Sequence, residues 1–135
     1  MPPVNSINDV LNIIRGLPSM SAIRPDDYAD RDGWADVVAR TSEMKSTQLR
    51  KIFHYVKDLK REFQKNDNSF NRAKVALLMP SLAYAKGRGL LPEDFYKLLT
   101  LCFSQDKCKT VADFNSTADF LEAILAYHKY YHPKA

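Results

Sequence analysis

Apolar residues recur at helical spacing along most of this chain. The first segment to show the i, i+3, i+4, i+7 pattern contains Ile7, Val10, Leu11 and Ile14. We predict a short helix here, capped by Asn5 or Ser6 and ended by Gly16. No strand-like alternation of useful length and no internal repeat is visible. The pattern therefore predicts an all-α protein, a compact bundle of five to six helices in a single domain over residues 1–135.

The segment that follows the first helix is less regular. We predict a loop from Pro18 to Asp27 and then a helix from Trp34 to about Arg40, in which Trp34 is a core anchor. Four acidic residues lie close together here, namely Asp26, Asp27, Asp30 and Asp32. They lack the spacing of a calcium loop and its closing Glu, so charge at a helix start is favoured over a metal site.

The third predicted helix is the most informative segment, and Ser46 or Thr47 is its expected cap. One face repeats apolar side chains, namely Leu49, Ile52, Phe53, Val56, Leu59 and Phe63. This face must be buried. At about 100° per residue, five cationic or potentially cationic side chains fall on roughly the opposite side, namely Arg50, His54, Lys57, Arg61 and Lys65. We call these five residues the cationic stripe and expect it to face solvent, uncancelled by any i,i+4 pairing with Asp58 or Glu62.

A proline divides the next helical segment. After a polar turn over Gln64 to Ser69, a helix begins at about Phe70. It must kink or break between Ala76 and Met79, because Pro80 lacks a backbone N–H and its ring clashes with the preceding turn. Ser81 to Lys86 is predicted to resume the helix.

Three further signals delimit the last helices. The sequence Lys86-Gly87-Arg88-Gly89 is typical of a helix end, and its glycine spacing matches no nucleotide-binding loop. Pro92 is predicted as the first residue of a fifth helix. The last helix is predicted to begin with Ser116 as cap and Asp119 at its third position.

Charge is unevenly distributed along the chain. There are 20 Lys+Arg and 16 Asp+Glu, which gives a net charge of +4. Residues 1–44 carry −3, residues 45–90 carry +8 and residues 91–135 carry −1. The middle third is therefore expected to attract polyanions such as nucleic acid. The alternative is a solvated basic face that binds no ligand.

Composition disfavours several classes of protein. The apolar run from Val75 to Met79 is far shorter than the ~20 residues that span a bilayer, and no secretory signal is visible. We therefore expect no membrane contact and a cytoplasmic location. Cys102 and Cys108 lack a CxxC spacing, which favours reduced thiols over a disulfide framework or a zinc site.

No catalytic constellation is evident. Nucleophilic catalysis needs a Ser or Cys beside a His base and an orienting acid, and none of His54, His128 and His132 lies in such a signature. His128 and His132 are four residues apart, but no third metal ligand is evident. We predict that both are surface histidines near a helix C-terminus. No enzymatic activity, metal or cofactor is expected.

Exposed aromatic residues offer a second route to nucleic acid, because they stack on unpaired bases. Most of the tyrosines are expected at the edge of the core. Tyr84 lies beside Lys86 and Arg88, so these three residues join Arg50, His54, Lys57 and Arg61 as the candidate set for binding nucleic acid.

Three segments in order resemble a known family. They are STQLRKIF at 46–53, ALLMPSLAYAKGR at 76–88 and FLEAILAYHKYY at 120–131. Together they are similar to the Csm-type small subunit of type III-A CRISPR effector complexes. The resemblance covers about residues 46–131 and divides the chain into a helical lead-in over 1–44 and a family-like core over 45–135.

The resemblance implies a non-catalytic all-α subunit, present in several copies, that lines the inner face of a ribonucleoprotein. Its implied partners are guide RNA, the target RNA paired to it, the backbone and large subunits, and further copies of itself. Cleavage of target RNA is implied to belong to the backbone subunits. By position, Arg50 falls in the matching helix start and Arg88 in the matching turn, whereas Lys57 and Arg61 come from the stripe alone.

The rival interpretation is a protein–protein interaction module of another complex. In that case the basic helix face meets an acidic partner surface. Titration of the isolated protein with RNA at several salt concentrations separates the two interpretations.

Overall fold

The structure, a computed structural model, describes residues 4–65 and 70–133. Within these ranges the chain forms eight α-helices and one 3-10 turn and contains no β-strand. In chain order they are α1 (Ile7–Arg15), the 3-10 turn (Met20–Ala22), α2 (Pro25–Tyr28), α3 (Trp34–Thr41), α4 (Ser46–Phe63), α5 (Arg72–Ala76), α6 (Leu78–Gly87), α7 (Glu93–Cys102) and α8 (Val111–Tyr131). The predicted all-α class is confirmed, and residues 66–69 of the predicted polar turn lie outside the described residues.

The longest helix, α8, is at the centre of the packing. It contacts α3, α4 and the 3-10 turn, while α1 packs on α3 and α7, and α6 packs on α5 and α7. Phe114, Phe120, Leu121 and Ile124 of α8 are each at most 2% exposed. At about 100° per residue these side chains fall on one broad side of α8, whereas Glu122, Ala126 and Tyr130 on the other side are exposed, so α8 packs through a wide apolar face.

Aromatic side chains anchor both ends of this core. Trp34 is buried on α3 and meets Phe120 edge-on at a centroid distance of 6.2 Å, which confirms it as a core anchor. At the other end, Phe63 packs edge-on against both Phe70 and Phe114 at 5.1 Å. T-shaped contacts of this kind add to the burial of apolar area. The end of α4 is thereby held against α8.

The predicted helix starts are partly confirmed. Ser6 caps α1 by accepting a hydrogen bond from the Asp9 N–H, as predicted. The cap predicted at Ser116 is wrong, because α8 begins at Val111 with a reciprocal capping box between Thr110 and Asp113. Three other predicted boundaries also shift. Ser46 is the first residue of α4 with Lys45 as its cap, Pro92 precedes α7 instead of starting it, and α2 and the 3-10 turn interrupt the loop predicted over 18–27.

The helix break predicted before Pro80 is confirmed. Helix α5 ends at Ala76, Leu77 forms a turn, and Pro80 is the third residue of α6. In the first turn of a helix, the missing N–H of proline has no intrahelical partner to lose. The break therefore leaves Pro80 in the first turn of α6, where it is tolerated.

The buried side chain of Lys107 links the end of α1 to the loop before α8 through hydrogen bonds. Its ammonium donates to the carbonyl oxygens of Arg15 and Leu17, and its own carbonyl accepts from the Met20 N–H at 2.9 Å. The carbonyls at a helix C-terminus lack intrahelical donors, so a cation there is favoured. Lys107 is thus a structural lysine.

Candidate nucleic-acid interface

Helix α4 carries the cationic stripe on its exposed side. Its six predicted core residues are all buried. Arg50, His54, Lys57 and Arg61 are all exposed on the other side, which confirms their predicted exposure. Lys65 is exposed too, but it lies beyond Gln64, the C-cap of α4. Four of the five stripe residues therefore share one helix.

Two stripe side chains contact other side chains of α4. Arg61 Nη1 lies 3.3 Å from Asp58 Oδ1, which is an i,i+3 ion pair and not an i,i+4 one. Both side chains are largely exposed, so water screens this pair and it holds Arg61 only weakly. Lys57 Nζ lies 5.7 Å from the centroid of the Phe53 ring, which keeps its stem along the helix.

Other cations of the basic middle third hold helices together. Lys60 Nζ contacts Asp119 Oδ1 of α8 at 2.9 Å, and Lys74 of α5 pairs with Glu62 of α4. These pairs cross between helices, so their charges are partly neutralised within the fold. The positive charge of the stripe is less neutralised by pairs of this kind, so it acts more strongly on an external partner.

At the end of α6, the side chain of Lys86 points away from Tyr84 and Arg88, the other two predicted site residues there. Arg88 lies with its guanidinium carbon 5.7 Å from the centroid of the Tyr84 ring, and that ring is 66% exposed. Lys86 turns away to Glu93 of α7, with Nζ 3.0 Å from Oε2. The hydrogen bond and charge of Lys86 lower the pKa of Glu93. Lys86 is therefore engaged in joining α6 to α7, whereas Tyr84 and Arg88 form one exposed unit.

A groove runs between α4 and α6 and contains residues that the sequence pattern did not single out. Gln48 and Lys51 of α4 line one side, and Tyr84 and Arg88 line the other, around a volume of about 520 Å³. Lys51 follows Arg50 by one residue, so it lies about 100° around α4 from the start of the stripe. The stripe and the groove thus occupy different sides of α4, and helical periodicity alone did not indicate which of them adjoins α6.

A second groove, of about 770 Å³, lies between α3 and α8. Three of its charged residues, Asp32, Asp36 and Arg40, interact with one another. Asp36 is 4% exposed and accepts hydrogen bonds from the Tyr131 hydroxyl and from the Asp32 N–H, and Arg40 lies 3.8 Å from it. Burial raises the pKa of this carboxyl, but the hydrogen bonds and the cation outweigh burial and lower it overall. Asp36 is therefore a structural residue of this groove.

The prediction that His128 is a surface histidine is wrong. It is 2% exposed, with Nε2 3.1 Å from the Met44 carbonyl oxygen and Nδ1 3.2 Å from Ser46 Oγ. A carbonyl only accepts, so the neutral ring carries its proton on Nε2 and accepts from Ser46 at Nδ1. Burial lowers the pKa of His128. His132 is exposed, as predicted, with its ring centroid 4.5 Å from that of His128.

The two cysteines are buried in the core, and neither forms a disulfide. Burial raises the pKa of Cys108 to about 12 and also raises the pKa of Cys102. A thiol that stays protonated is a poor nucleophile and a poor metal ligand. Both cysteines are therefore core residues with free thiols.

These features define an all-α protein with exposed cations concentrated on one segment. Within residues 4–65 and 70–133, no helix is both long and apolar enough to cross a membrane. A model of the family described as Csm2 Type III-A matches residues 25–134, so the chain belongs to the Csm2 Type III-A family. Comparison with curated proteins and with solved structures gives no match.

Membership identifies the chain as a small subunit of a type III-A CRISPR effector complex, in a family whose role is structural. The resemblance stated from three sequence segments is therefore confirmed. The matched range extends beyond residues 46–131 and takes in α2 and α3.

Proposed function

We propose that this small subunit lines the channel for guide and target RNA and contacts the RNA backbone through basic side chains. The observation that carries the proposal is the exposure of Arg50, His54, Lys57 and Arg61 along one side of α4. In the proposed assembly, which acts in the cytoplasm, further copies of the chain and the backbone and large subunits are its protein partners.

Backbone contact suits a subunit that serves any guide sequence. Arg and Lys contacts to phosphate position a protein on nucleic acid without reading bases. In RNA-guided complexes, base pairing reads the sequence and the protein holds the duplex by its backbone. Arg50 and Lys57 are exposed along two turns of α4, so they present a row of charge and not a single contact.

The salt dependence of RNA binding tests the stripe. Removal of one phosphate contact should reduce the magnitude of the log K against log salt slope by about 0.7 for single strands and about 0.9 for a duplex. Lys57→Ala with Arg61→Ala should therefore flatten the slope by about one to two units. The decrease in affinity should be similar for unrelated RNA sequences of equal length, because phosphate contacts carry no sequence information.

Lys97→Ala with Lys109→Ala is the matched control, because it also removes two exposed lysine or arginine charges but leaves α4 intact. Circular dichroism should show that both double variants keep the wild-type helical content. An unchanged salt slope in the folded α4 variant would contradict the proposal. It would favour the rival interpretation, in which α4 meets an acidic protein surface.

We propose further that the chain itself is non-catalytic. Purified protein should cleave neither RNA nor DNA, with or without divalent cations. Cleavage that survives further purification and disappears on substitution of one His or Asp would overturn this part of the proposal.

A further inference from the structure

The groove between α4 and α6 has the dimensions of a small-ligand site. Its volume of about 520 Å³ falls within the roughly 300–1,000 Å³ common for such sites. Beside Tyr84, the α6 wall also contributes the small side chains of Ser81 and Ala85, and Ala85 is buried. The groove is therefore an open trough between α4 and α6, with two small side chains beside the Tyr84 ring.

One wall of the trough presents an aromatic ring to solvent. Tyr84 is 66% exposed although its ring is large and mostly apolar. Arg88, four residues on, lies against this ring. An exposed ring flanked by a cation is the arrangement on which unpaired bases stack in single-strand-binding proteins.

The electrostatics of the groove favour an anion. Its lining contains Lys51 and Arg88 and no carboxylate. Among the described residues, neither cation forms an ion pair. The α3–α8 groove differs in this respect, because Arg40 there pairs with Asp32 and Asp36.

We propose that the α4–α6 groove binds one unpaired RNA nucleotide, with its base stacked on Tyr84 and its flanking phosphates contacted by Lys51 and Arg88. A paired base has both faces covered by its neighbours in the stack, so only an unpaired base reaches the ring. The Gln48 amide both donates and accepts, so it suits the edge of any base. This inference rests on the proposed function, since it requires that the chain meets RNA, and adds a base contact to the backbone contacts of the stripe.

The test compares two RNA probes with the full-length protein. One is a fluorescently labelled oligouridine, and the other has the same length and sugar-phosphate backbone but lacks the bases. Wild-type protein should bind the base-bearing probe about tenfold more tightly, within the range that stacking of one base supports. Tyr84→Ala should abolish this preference while leaving the salt slope unchanged, because the phosphate contacts remain. Tyr84→Phe keeps the ring and should keep the preference.

Tyr130→Ala is the matched control, because Tyr130 is 75% exposed but lies on α8 beside the other groove. It should bind both probes like the wild type. If Tyr84→Ala retains the base preference, or if wild-type protein has none while its salt slope is intact, the base site is refuted and the proposed backbone contacts stand. If wild-type protein binds neither probe at low salt, both proposals fail.

Discussion

Nδ1 of His128, near the end of α8, lies 3.2 Å from Oγ of Ser46 in the first residue of α4. The other ring nitrogen donates to the carbonyl oxygen of Met44 just before that helix. One buried imidazole thus joins the start of the helix that carries the cationic stripe to the end of the central helix. The position of the stripe depends on this contact as well as on the apolar face of α4.

Protonation of His128 should weaken the fold. Its folded-state pKa lies below the unfolded value of about 6.5, so its contribution to stability is complete above about pH 6.5 and is lost as pH falls through the folded-state pKa. His128→Gln should lower the free energy of unfolding by about 1–3 kcal/mol at neutral pH, because the buried bonds are altered. Urea denaturation of the variant should then show a shallower loss of stability on acidification.

His54→Gln is the control for this experiment, because it removes an exposed imidazole from α4 itself. The control should retain the wild-type loss of stability below neutral pH. An equally steep acid loss in His128→Gln would show that other groups govern the pH dependence.

Asp113 should be a second determinant of stability. Its carboxylate accepts from the backbone N–H groups of Ser21 and Lys109 at 2.9 Å, and Thr110 completes the capping box. Burial alone raises the pKa of Asp113, but these hydrogen bonds outweigh it and lower the pKa to about 2. Asp113→Asn should cost about 2 kcal/mol in the free energy of unfolding at neutral pH.

The acid dependence of this effect has a definite sign. A carboxyl with a lowered folded-state pKa contributes stability above its unfolded pKa of about 3.9, and the contribution is lost as pH falls through about 2. The difference between wild type and Asp113→Asn in urea denaturation should therefore shrink below about pH 4. Exposed Asp106→Asn should match the wild type throughout, and a pH-independent difference for Asp113→Asn would contradict the assignment.

Gly33 should tolerate no side chain. A Cβ built at this position would lie 2.6 Å from the carbonyl oxygen of Asp27 and 2.8 Å from that of Asp30. Because both contacts are to backbone, Gly33→Ala should lower the free energy of unfolding by about 1–3 kcal/mol. Gly87→Ala meets nothing within 4 Å in α6 and should be neutral or stabilising by up to about 1 kcal/mol. Equal melting temperatures for the two variants would refute the steric argument.

Lys86 and Arg88 should differ in their effect on RNA binding. Lys86 is paired with Glu93, whereas Arg88 lies beside the exposed Tyr84 ring. Arg88→Ala should weaken RNA binding with little change in melting temperature, and Lys86→Ala should weaken it less. Fluorescence anisotropy with one RNA, combined with thermal melts, measures both quantities. A larger decrease in affinity for Lys86→Ala would show that Lys86 leaves Glu93 and binds RNA instead.

Local patterns in the sequence determined much of this protein. Apolar residues repeated at helical spacing predict helix α4, its buried face and the exposure of its four stripe residues. The break before Pro80 follows from proline geometry. Each of these features depends on residues within about one or two helical turns. The family resemblance was carried by the same local segments, and the match over residues 25–134 confirmed it.

Tertiary structure alone decided which polar residues meet. His128 is buried because Met44 and Ser46 approach it from 84 and 82 positions away, and nothing in its own helical spacing indicates that contact. Lys60 likewise pairs with Asp119 across 59 positions, and Lys51 and Tyr84 line one groove only because the fold places α6 near α4. Hydrophobic periodicity specifies which side of a helix is buried, but the mutual packing of whole helices specifies the neighbours of its polar side chains.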